Sequence, residues 1–232
     1  MIAPAAGLQV GRTSIGCTSI GRTSIARKLL MAASGAVLFL FVIGHLLGNL
    51  QIFRGPAAID AYAHFLKSTP ALLWGARLTL LCAVLLHGWA ALTTTLQSWR
   101  ARRERYASPR RYNVATLFSR SMRVTGPLIF AYVVYHLLHL TVGCVHPEFV
   151  EGQVYRNVVV GFSRPLAAMT YMAAMAALGM HLVHGVWSMF QTLGLSSGRW
   201  RPRLRLLAAT ATALIVAGNV SIPLAVLAGW LR

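Results

Sequence analysis

Six of the eight histidines lie in apolar segments that are long enough to cross a membrane. An ionisable side chain at membrane depth is costly, so each of these histidines is a candidate functional residue. Several histidines on separate helices of a membrane bundle favour axial ligation of buried haem. The six are His45, His87, His136, His139, His181 and His184.

The composition is that of a membrane protein: 56% of the residues are hydrophobic, 11% are charged, and the mean hydropathy is +0.61. The chain has 22 Lys and Arg residues against four acidic ones. A soluble basic domain that binds nucleic acid would not contain spanning apolar runs, so we expect no nucleic acid partner. The three cysteines form no CxxC or CxxCH motif, which argues against a disulfide framework, a zinc site and covalently attached haem.

Five apolar stretches approach or exceed the ~20 residues that a helix needs to cross the hydrocarbon core. None of them alternates apolar and polar residues, so a closed β-barrel is not expected. The sequence therefore predicts an all-α integral membrane protein, a haem-binding bundle of five transmembrane helices. We expect these helices at residues 29–52, 71–98, 124–146, 165–193 and 206–230, joined by loops rich in Pro, Gly and charge.

The basic residues indicate the orientation of the bundle. Of the 22 Lys and Arg residues, sixteen lie before the first helix, between the second and third, or before the fifth, and six lie elsewhere. Basic residues accumulate on the cytoplasmic side of membrane proteins. We therefore expect an integral protein of the cell inner (cytoplasmic) membrane with its N-terminus in the cytoplasm and its C-terminus outside.

A rise of ~1.5 Å per helical residue gives each histidine a depth. His45 lies 16 residues into an outward-running helix, or ~24 Å, which puts it in the outer half of the membrane. His87 and His181 lie 16 residues into inward-running helices and therefore fall in the inner half. His136 and His139 lie ~20–24 Å from the cytoplasmic side of another outward-running helix.

These depths predict an outer pair, His45 with His136 or His139, and an inner pair, His87 with His181, that hold two haems across the bilayer. A single intramembrane histidine could instead bond to Ser or Thr on a neighbouring helix. Four histidines on four helices at two matching depths favour haem. His139 and His184 are each three residues from another histidine on the same helix face, so we expect them to contact haem propionates, quinone or polar residues and not to ligate the iron.

Two further features concern the surroundings of these histidines. Small residues beside them would leave room for a porphyrin plane, although ordinary helix packing is the alternative; they are Gly44, Gly48, Gly88 and Gly185. His64 and His146 fall in predicted external loops, where we expect solvent-exposed side chains.

The N-terminal segment contains the tandem repeat GRTSI-GCTSI-GRTSI, whose five-residue period matches no standard solenoid. No apolar core of a signal peptide precedes the first helix. We therefore expect residues 1–22 to be a disordered, low-complexity tail and residues 23–232 to form one five-helix dihaem cytochrome b domain.

Six sequence pieces occur in order on the predicted helices: SIARKLLMAASG, GHLLGNLQIF, AYAHFLKSTP, LLHGWAAL, RVTGPLIFAYVVYH and HLVHGVWSMFQTLG. Together they resemble the dihaem cytochrome b membrane-anchor subunit of succinate:quinone oxidoreductases, the succinate dehydrogenases and fumarate reductases, of the single-chain five-helix type. The resemblance covers nearly all of residues 23–232.

The resemblance implies a ligand set and partners. It implies that His45 and His136 ligate a distal b haem, and that His87 and His181 ligate a proximal one. It also implies a flavoprotein subunit and an iron–sulfur subunit on the cytoplasmic face, with electrons passing to or from membrane quinone, menaquinone being favoured. The chain has no GxGxxG motif and no Cys cluster, so it would not oxidise succinate by itself.

Quinone sites are expected at two places. Ser24 and Arg27 are expected near the proximal haem edge and could bind a quinone carbonyl, although Arg27 could equally bind a haem propionate or anchor to lipid. Asp60 and His64, four residues apart, could relay protons or contact quinone at the outer face, although surface hydrogen bonding is the alternative reading.

Two other functions remain open at this point. A dihaem cytochrome b subunit of a formate dehydrogenase or hydrogenase would share the bundle but not the ordered pieces. A haem-free transporter could use the histidines for protons, and broken helices with midplane sites would then be expected.

Overall fold

A computed structural model describes residues 24–101 and 117–232 of the chain. All regular structure in these two segments is helical, and they contain no strand. The repeat-containing segment 1–22, predicted to be a disordered tail, lies outside the described residues, as do residues 102–116 with several of the arginines used to predict the orientation.

Seven helices follow one another in the described segments. They are α1 (Ser24–Asn49), α2 (Pro56–Ser68), α3 (Pro70–Arg100), α4 (Leu117–Leu137), α5 (Val154–Phe162), α6 (Pro165–Thr192) and α7 (Trp200–Leu227). Five of them, α1, α3, α4, α6 and α7, are long and apolar enough to cross a membrane. The predicted all-helical bundle with five transmembrane helices is confirmed.

Three spanning helices begin earlier than predicted, because basic residues that we assigned to the flanking segments belong to their first turns. α1 begins at Ser24 and not near residue 29. α4 begins at Leu117 and not near residue 124, and α7 begins at Trp200 and not near residue 206. The guanidinium of Arg203 lies 5.3 Å from the Trp200 ring, and that of Arg205 lies 4.7 Å from the Trp187 ring. Cation–π contacts of this kind let arginines remain on a helix where it leaves the hydrocarbon region.

The connections 53–70 and 145–157 were predicted to be loops, and this prediction was wrong for most of the first, which is α2, and for the end of the second, where α5 begins. Gly55, with φ of 99°, turns the chain so that Pro56 can start α2, where its missing N–H costs nothing. The two short helices join at one end of the bundle, which we call the capped end. There Lys67 pairs with Glu151 at 3.1 Å, and Asp60 Oδ1 accepts a hydrogen bond from the backbone N–H of Tyr155 at 3.0 Å.

The opposite end is called the arginine-rich end, because four arginines lie at or just before the start of α7 there: Arg199, Arg201, Arg203 and Arg205. Between the two ends, α6 lies at the centre and packs against α1, α4 and α7, while α3 packs mainly against α1. Only 6% of the most apolar stretch of α3 is buried within the bundle. Its other apolar side chains, among them Leu78, Leu81 and Leu85, are exposed, as lipid-facing residues are.

Small residues let the central helices approach closely. A Cβ added at Gly179 of α6 would lie 3.0 Å from Val216 of α7, and one at Gly218 of α7 would lie 2.9 Å from Leu46 of α1. These contacts fix the rotation of α1 and α6 and therefore the direction in which their histidines point.

α4 changes geometry just after His136. The five residues Leu138–Val142 form a π-turn, which ends at Gly143 in the left-handed region with φ of 85°. A Cβ at Gly143 would also collide with the Phe149 ring, so glycine is required there on two grounds. The π-turn is where His139 lies, so His136 and His139 belong to different backbone geometries.

Candidate functional site

The structure brings four of the predicted histidines together as two pairs. Near the capped end, the imidazole centroids of His45 on α1 and His136 on α4 are 5.8 Å apart; we call this the capped-end pair. Nearer the arginine-rich end, the centroids of His87 on α3 and His181 on α6 are 6.3 Å apart; this is the arginine-end pair. The pairing matches the one expected from depth.

In each pair the two histidines come from helices that are not packed side by side. α1 packs against α3, α6 and α7, and α4 packs against α6, but the described residues show at most sparse contact between α1 and α4 or between α3 and α6. Each pair therefore reaches across a space between helix backbones. Such a space, with one imidazole entering from each side, is the arrangement that a planar group ligated on both faces requires.

The distances fit an axial ligand pair. A metal bonds to an imidazole nitrogen at roughly 2 Å, so a metal between two imidazoles holds their ring centroids about 6 Å apart. In the described parts of the chain, no group of three or more His, Cys, Asp or Glu side chains comes together. Each pair thus offers two protein ligands, which is the number that a b haem takes, since the porphyrin supplies the other four.

In the arginine-end pair, Nδ1 of each imidazole lies within hydrogen-bond distance of a group on a neighbouring helix. His87 Nδ1 lies 3.1 Å from the carbonyl oxygen of Met31 and 3.3 Å from Ser34 Oγ. His181 Nδ1 lies 3.2 Å from Thr125 Oγ1. Because a carbonyl oxygen only accepts, His87 Nδ1 carries the ring proton and leaves Nε2 able to ligate a metal, and Thr125 Oγ1 can accept from His181 Nδ1 in the same way.

The capped-end pair has aromatic neighbours instead. Phe41 stacks on His45 with ring centroids 5.2 Å apart, and Tyr132 and Tyr171 lie 5.9 Å and 5.8 Å from the His136 ring. His136 Nδ1 is buried and has no hydrogen-bond partner among the described residues. A buried polar atom without a partner is costly and uncommon.

His139 makes its ring contacts with Tyr135, His146 and Tyr171, and none with His45 is seen among the described residues. It is 2% exposed, its Nδ1 lies 3.0 Å from the Tyr171 hydroxyl, and its ring stacks on Tyr135 with centroids 5.3 Å apart. Its ring is 5.0 Å from that of His146. His139 therefore touches Tyr171, which in turn contacts His136. His184, three residues beyond His181, is half-buried on α6.

The expectation that His146 is a solvent-exposed loop residue was wrong. Its side chain is 8% exposed; Nε2 donates to the carbonyl oxygen of Asn157 at 2.8 Å, and Nδ1 accepts from the backbone N–H of Glu148 at 3.1 Å. The error follows from the missed helix α5, which covers this side chain. His64 is exposed as expected, although it lies on α2 and not in a loop.

The other predicted site residues lie at the two ends. Ser24 is the first residue of α1, and Arg27, in the first turn, is buried with 8% exposure. At the capped end, Asp60 is half-buried and accepts the hydrogen bond from Tyr155 that caps the start of α5. The structure does not bring Asp60 and His64 into hydrogen-bond contact.

Of the four glycines predicted to leave room for a porphyrin, one packs against another helix and the other three have open space beside them. A Cβ at Gly44, Gly88 or Gly185 would have no neighbour within 4 Å, whereas Gly48 lies against the Tyr62 ring and serves the packing of α2. The glycine that touches a paired histidine most closely was not singled out. A Cβ at Gly35 would lie 3.2 Å from Cε1 of His87.

A cavity of about 530 Å³ lies at the capped end. Polar side chains in its wall include Tyr135, His139, Arg164 and Thr170, and apolar ones include Val145 and Leu166. Sequence reasoning missed this cavity, because its wall combines the π-turn with the start of α6. Tyr171, Ser34 and Thr125 were missed for a related reason, since their contacts depend on how the helices are rotated.

The comparisons with known proteins bear on this arrangement. Residues 100–218 match the protein family described as succinate dehydrogenase/fumarate reductase transmembrane subunit, and this match covers more than half of the chain, including His136 and His181. No curated protein and no solved structure matches the chain. With five spanning helices and this family match, the chain belongs to the succinate dehydrogenase/fumarate reductase transmembrane subunit family.

Proposed function

We propose that the chain is a dihaem cytochrome b anchor that passes electrons between the iron–sulfur subunit of its complex and membrane quinone. The observation that carries the proposal is the presence of two histidine pairs, at 5.8 Å and 6.3 Å, at two levels of one five-helix bundle. One haem would be ligated by His45 and His136, and the other by His87 and His181. The succinate dehydrogenase/fumarate reductase family supports the succinate–fumarate couple as the soluble chemistry.

A b haem with two imidazole ligands supplies one-electron transfer and keeps no open position for other ligands. The protein contributes the rest. Four imidazoles would present lone pairs from opposite helices, and the hydrogen bond of His87 to the Met31 carbonyl fixes Nδ1 as the protonated nitrogen of that ring. Phe39 and Val42 of α1 and Leu178 of α6 pack against a buried apolar cluster in the same bundle.

The arginine-rich end is the proposed docking side for the iron–sulfur and flavoprotein subunits, and it would face the cytoplasm. Arg199, Arg203 and Arg205 lie over Trp200 or Trp187 there, at the level where a membrane protein leaves the bilayer. Docking on this side would bring the iron–sulfur subunit nearer to the arginine-end pair than to the capped-end pair.

Two quinone sites are proposed. At the arginine-rich end, Arg27 is buried on the first turn of α1, close to Ser24, and a buried guanidinium is a strong donor to a quinone carbonyl. At the capped end, the cavity near His139 and Arg164 offers donors between apolar walls. We also propose that Asp60 and His64 supply protons to quinone at that face. Menaquinone is the favoured quinone.

A direct test uses the native complex, purified from membranes through a tag on this chain. We expect a flavoprotein and an iron–sulfur subunit to copurify, and we expect succinate to reduce the haem absorption bands. Formate and hydrogen, the donors of the two alternative complexes, should leave the bands oxidised. Reduction by formate or hydrogen but not by succinate would contradict the proposal.

A further inference from the structure

Both imidazoles of the arginine-end pair touch a hydroxyl group on a neighbouring helix. His87 on α3 lies 3.3 Å from Oγ of Ser34 on α1. His181 on α6 lies 3.2 Å from Oγ1 of Thr125 on α4. The two contacts are made by Nδ1 in both cases, so the same atom of each ring is held by a hydroxyl.

The direction of these hydrogen bonds follows from the groups to which the two hydroxyls donate their own protons. A hydroxyl group has one proton. Ser34 Oγ lies 2.7 Å from the carbonyl oxygen of Leu30, and Thr125 Oγ1 lies 3.1 Å from that of Ser121, both one turn back on the same helix. With their protons directed to these carbonyls, both hydroxyls act as acceptors, and the imidazole Nδ1–H groups donate to them.

The surroundings hold this arrangement in place. Ser34 is 6% exposed and Thr125 is 1% exposed, so water does not compete for their hydrogen bonds. Gly35 lets the His87 ring lie against α1, where the carbonyl of Met31 is a second acceptor at 3.1 Å. His181 has a single acceptor, Thr125, among the contacts of its Nδ1 in the described residues.

His136 of the capped-end pair lacks such a partner. Nδ1 of His136 is buried without a hydrogen-bond partner among the described residues. The two pairs therefore differ in the electron density that their protein surroundings give to the ligand nitrogens, although all four ligands are histidines.

We propose that Ser34 and Thr125 are positioning residues that hold His87 and His181 as Nδ1–H tautomers and lower the reduction potential of the haem ligated by this pair. The inference rests on the proposed function, since it requires that His87 and His181 ligate a haem. Donation from Nδ1–H to an acceptor makes an imidazole a more basic ligand, which stabilises the oxidised iron. Hydrogen bonds to axial ligands are one of the means by which a protein sets a haem potential.

The test measures the midpoint potentials of both haems, by absorption during electrochemical reduction of the intact complex. Thr125→Val keeps the side-chain volume and removes the hydroxyl. We expect it to raise the midpoint potential of the arginine-end haem by ~59 mV, which for one electron lowers the oxidised-to-reduced ratio about tenfold at a given ambient potential. Ser34→Ala should give a smaller rise, because Met31 still accepts from His87, and Thr125→Ser should restore the original value.

Thr212→Val is the matched control. Thr212 is another buried threonine, 3% exposed, whose hydroxyl has no hydrogen-bond partner among the described residues. This variant should leave both potentials unchanged, and the capped-end haem should keep its potential in every variant. A shift in Thr212→Val as large as that in Thr125→Val would overturn the inference, because loss of any buried hydroxyl would then suffice.

Two further outcomes separate the inference from the proposed function. Full haem content with unchanged potentials in both Thr125→Val and Ser34→Ala would overturn the positioning role and leave the ligation intact. Retention of both haems in His87→Ala and His181→Ala would overturn the ligation, and the positioning role with it.

Discussion

At the scale of single residues, the proposed function depends on four histidines. Each faces a partner on another helix at a distance that suits a shared metal. We expect His87→Ala or His181→Ala to remove one haem, and His45→Ala or His136→Ala to remove the other. Redox difference spectra of the single variants would separate the two haem populations.

His139 provides the sharpest control for that experiment. It is also buried and lies three residues from His136, but its Nδ1 contacts the Tyr171 hydroxyl at 3.0 Å and its ring does not face His45. His139→Ala should therefore retain both haems. If His139→Ala lost a haem while His136→Ala kept both, the assignment on α4 would be wrong.

Arg27 tests the proposed quinone site at the arginine-rich end. Removing its buried guanidinium takes away a donor to the quinone carbonyl, so Arg27→Ala should lower succinate:quinone activity several-fold. Succinate oxidation by a soluble dye, which does not pass through the membrane subunit, should stay near the native rate.

Lys28 is the matched control, since it is an exposed cation on the next position of α1. Lys28→Ala should leave both activities unchanged. Equal loss of quinone and dye activity in Arg27→Ala would indicate failed assembly, and undiminished quinone activity would remove Arg27 from the site.

At the scale of elements, the capped end depends on how α5 is tied to the segment before it. The Asn157 side chain accepts from the backbone N–H of Val150 at 2.9 Å and donates to the carbonyl oxygen of the same residue at 2.7 Å, and its own carbonyl accepts from His146. Asn157→Ala leaves the partly buried backbone N–H and carbonyl of Val150 without these partners. We expect it to destabilise the protein by about 1–3 kcal/mol, measured as earlier loss of haem absorption on heating.

Asn219 offers the comparison for this loss of a side-chain amide. Its amide donates to the carbonyl oxygen of Ile215, one turn back on α7, so the bond is local to one helix. Asn219→Ala should therefore cost clearly less than Asn157→Ala. A larger effect of Asn219→Ala would show that the ties of α5 contribute little.

The long helices could be predicted from the sequence, whereas the short helices α2 and α5 could not. The five spanning helices follow from apolar length alone, and that prediction was sound. α2 and α5 have 13 and 9 residues, and they lie among the Pro, Gly and charge that suggested loops. Because α5 was missed, the burial of His146 was missed with it.

Part of the candidate site was also beyond sequence reasoning. Depth along a helix matched His45 with α4 and His87 with His181, because it needs only the rise per residue. Contacts such as Ser34 with His87 depend on the rotation of α1 about its axis, which close packing at positions like Gly218 determines. No spacing within a single helix contains that information.

At the scale of the whole molecule, the distribution of basic residues predicts that the arginine-rich end faces the cytoplasm. Single cysteines introduced into a cysteine-free chain would test this in intact cells with a membrane-impermeant maleimide. Ala61→Cys, exposed on α2 at the capped end, should be labelled from outside. Ser197→Cys, exposed between α6 and α7, should be labelled only after permeabilisation. The reverse pattern would invert the orientation and move the docking side.

Two haems in one bundle are the central claim, and the haem content of the purified chain tests it most directly. A pyridine haemochrome assay, combined with quantitative amino-acid analysis of a fully loaded preparation, gives the number of haems per chain. The account predicts two b haems per chain, both low-spin, because the two histidine pairs leave no open axial position. One haem, or none, in such a preparation would contradict it.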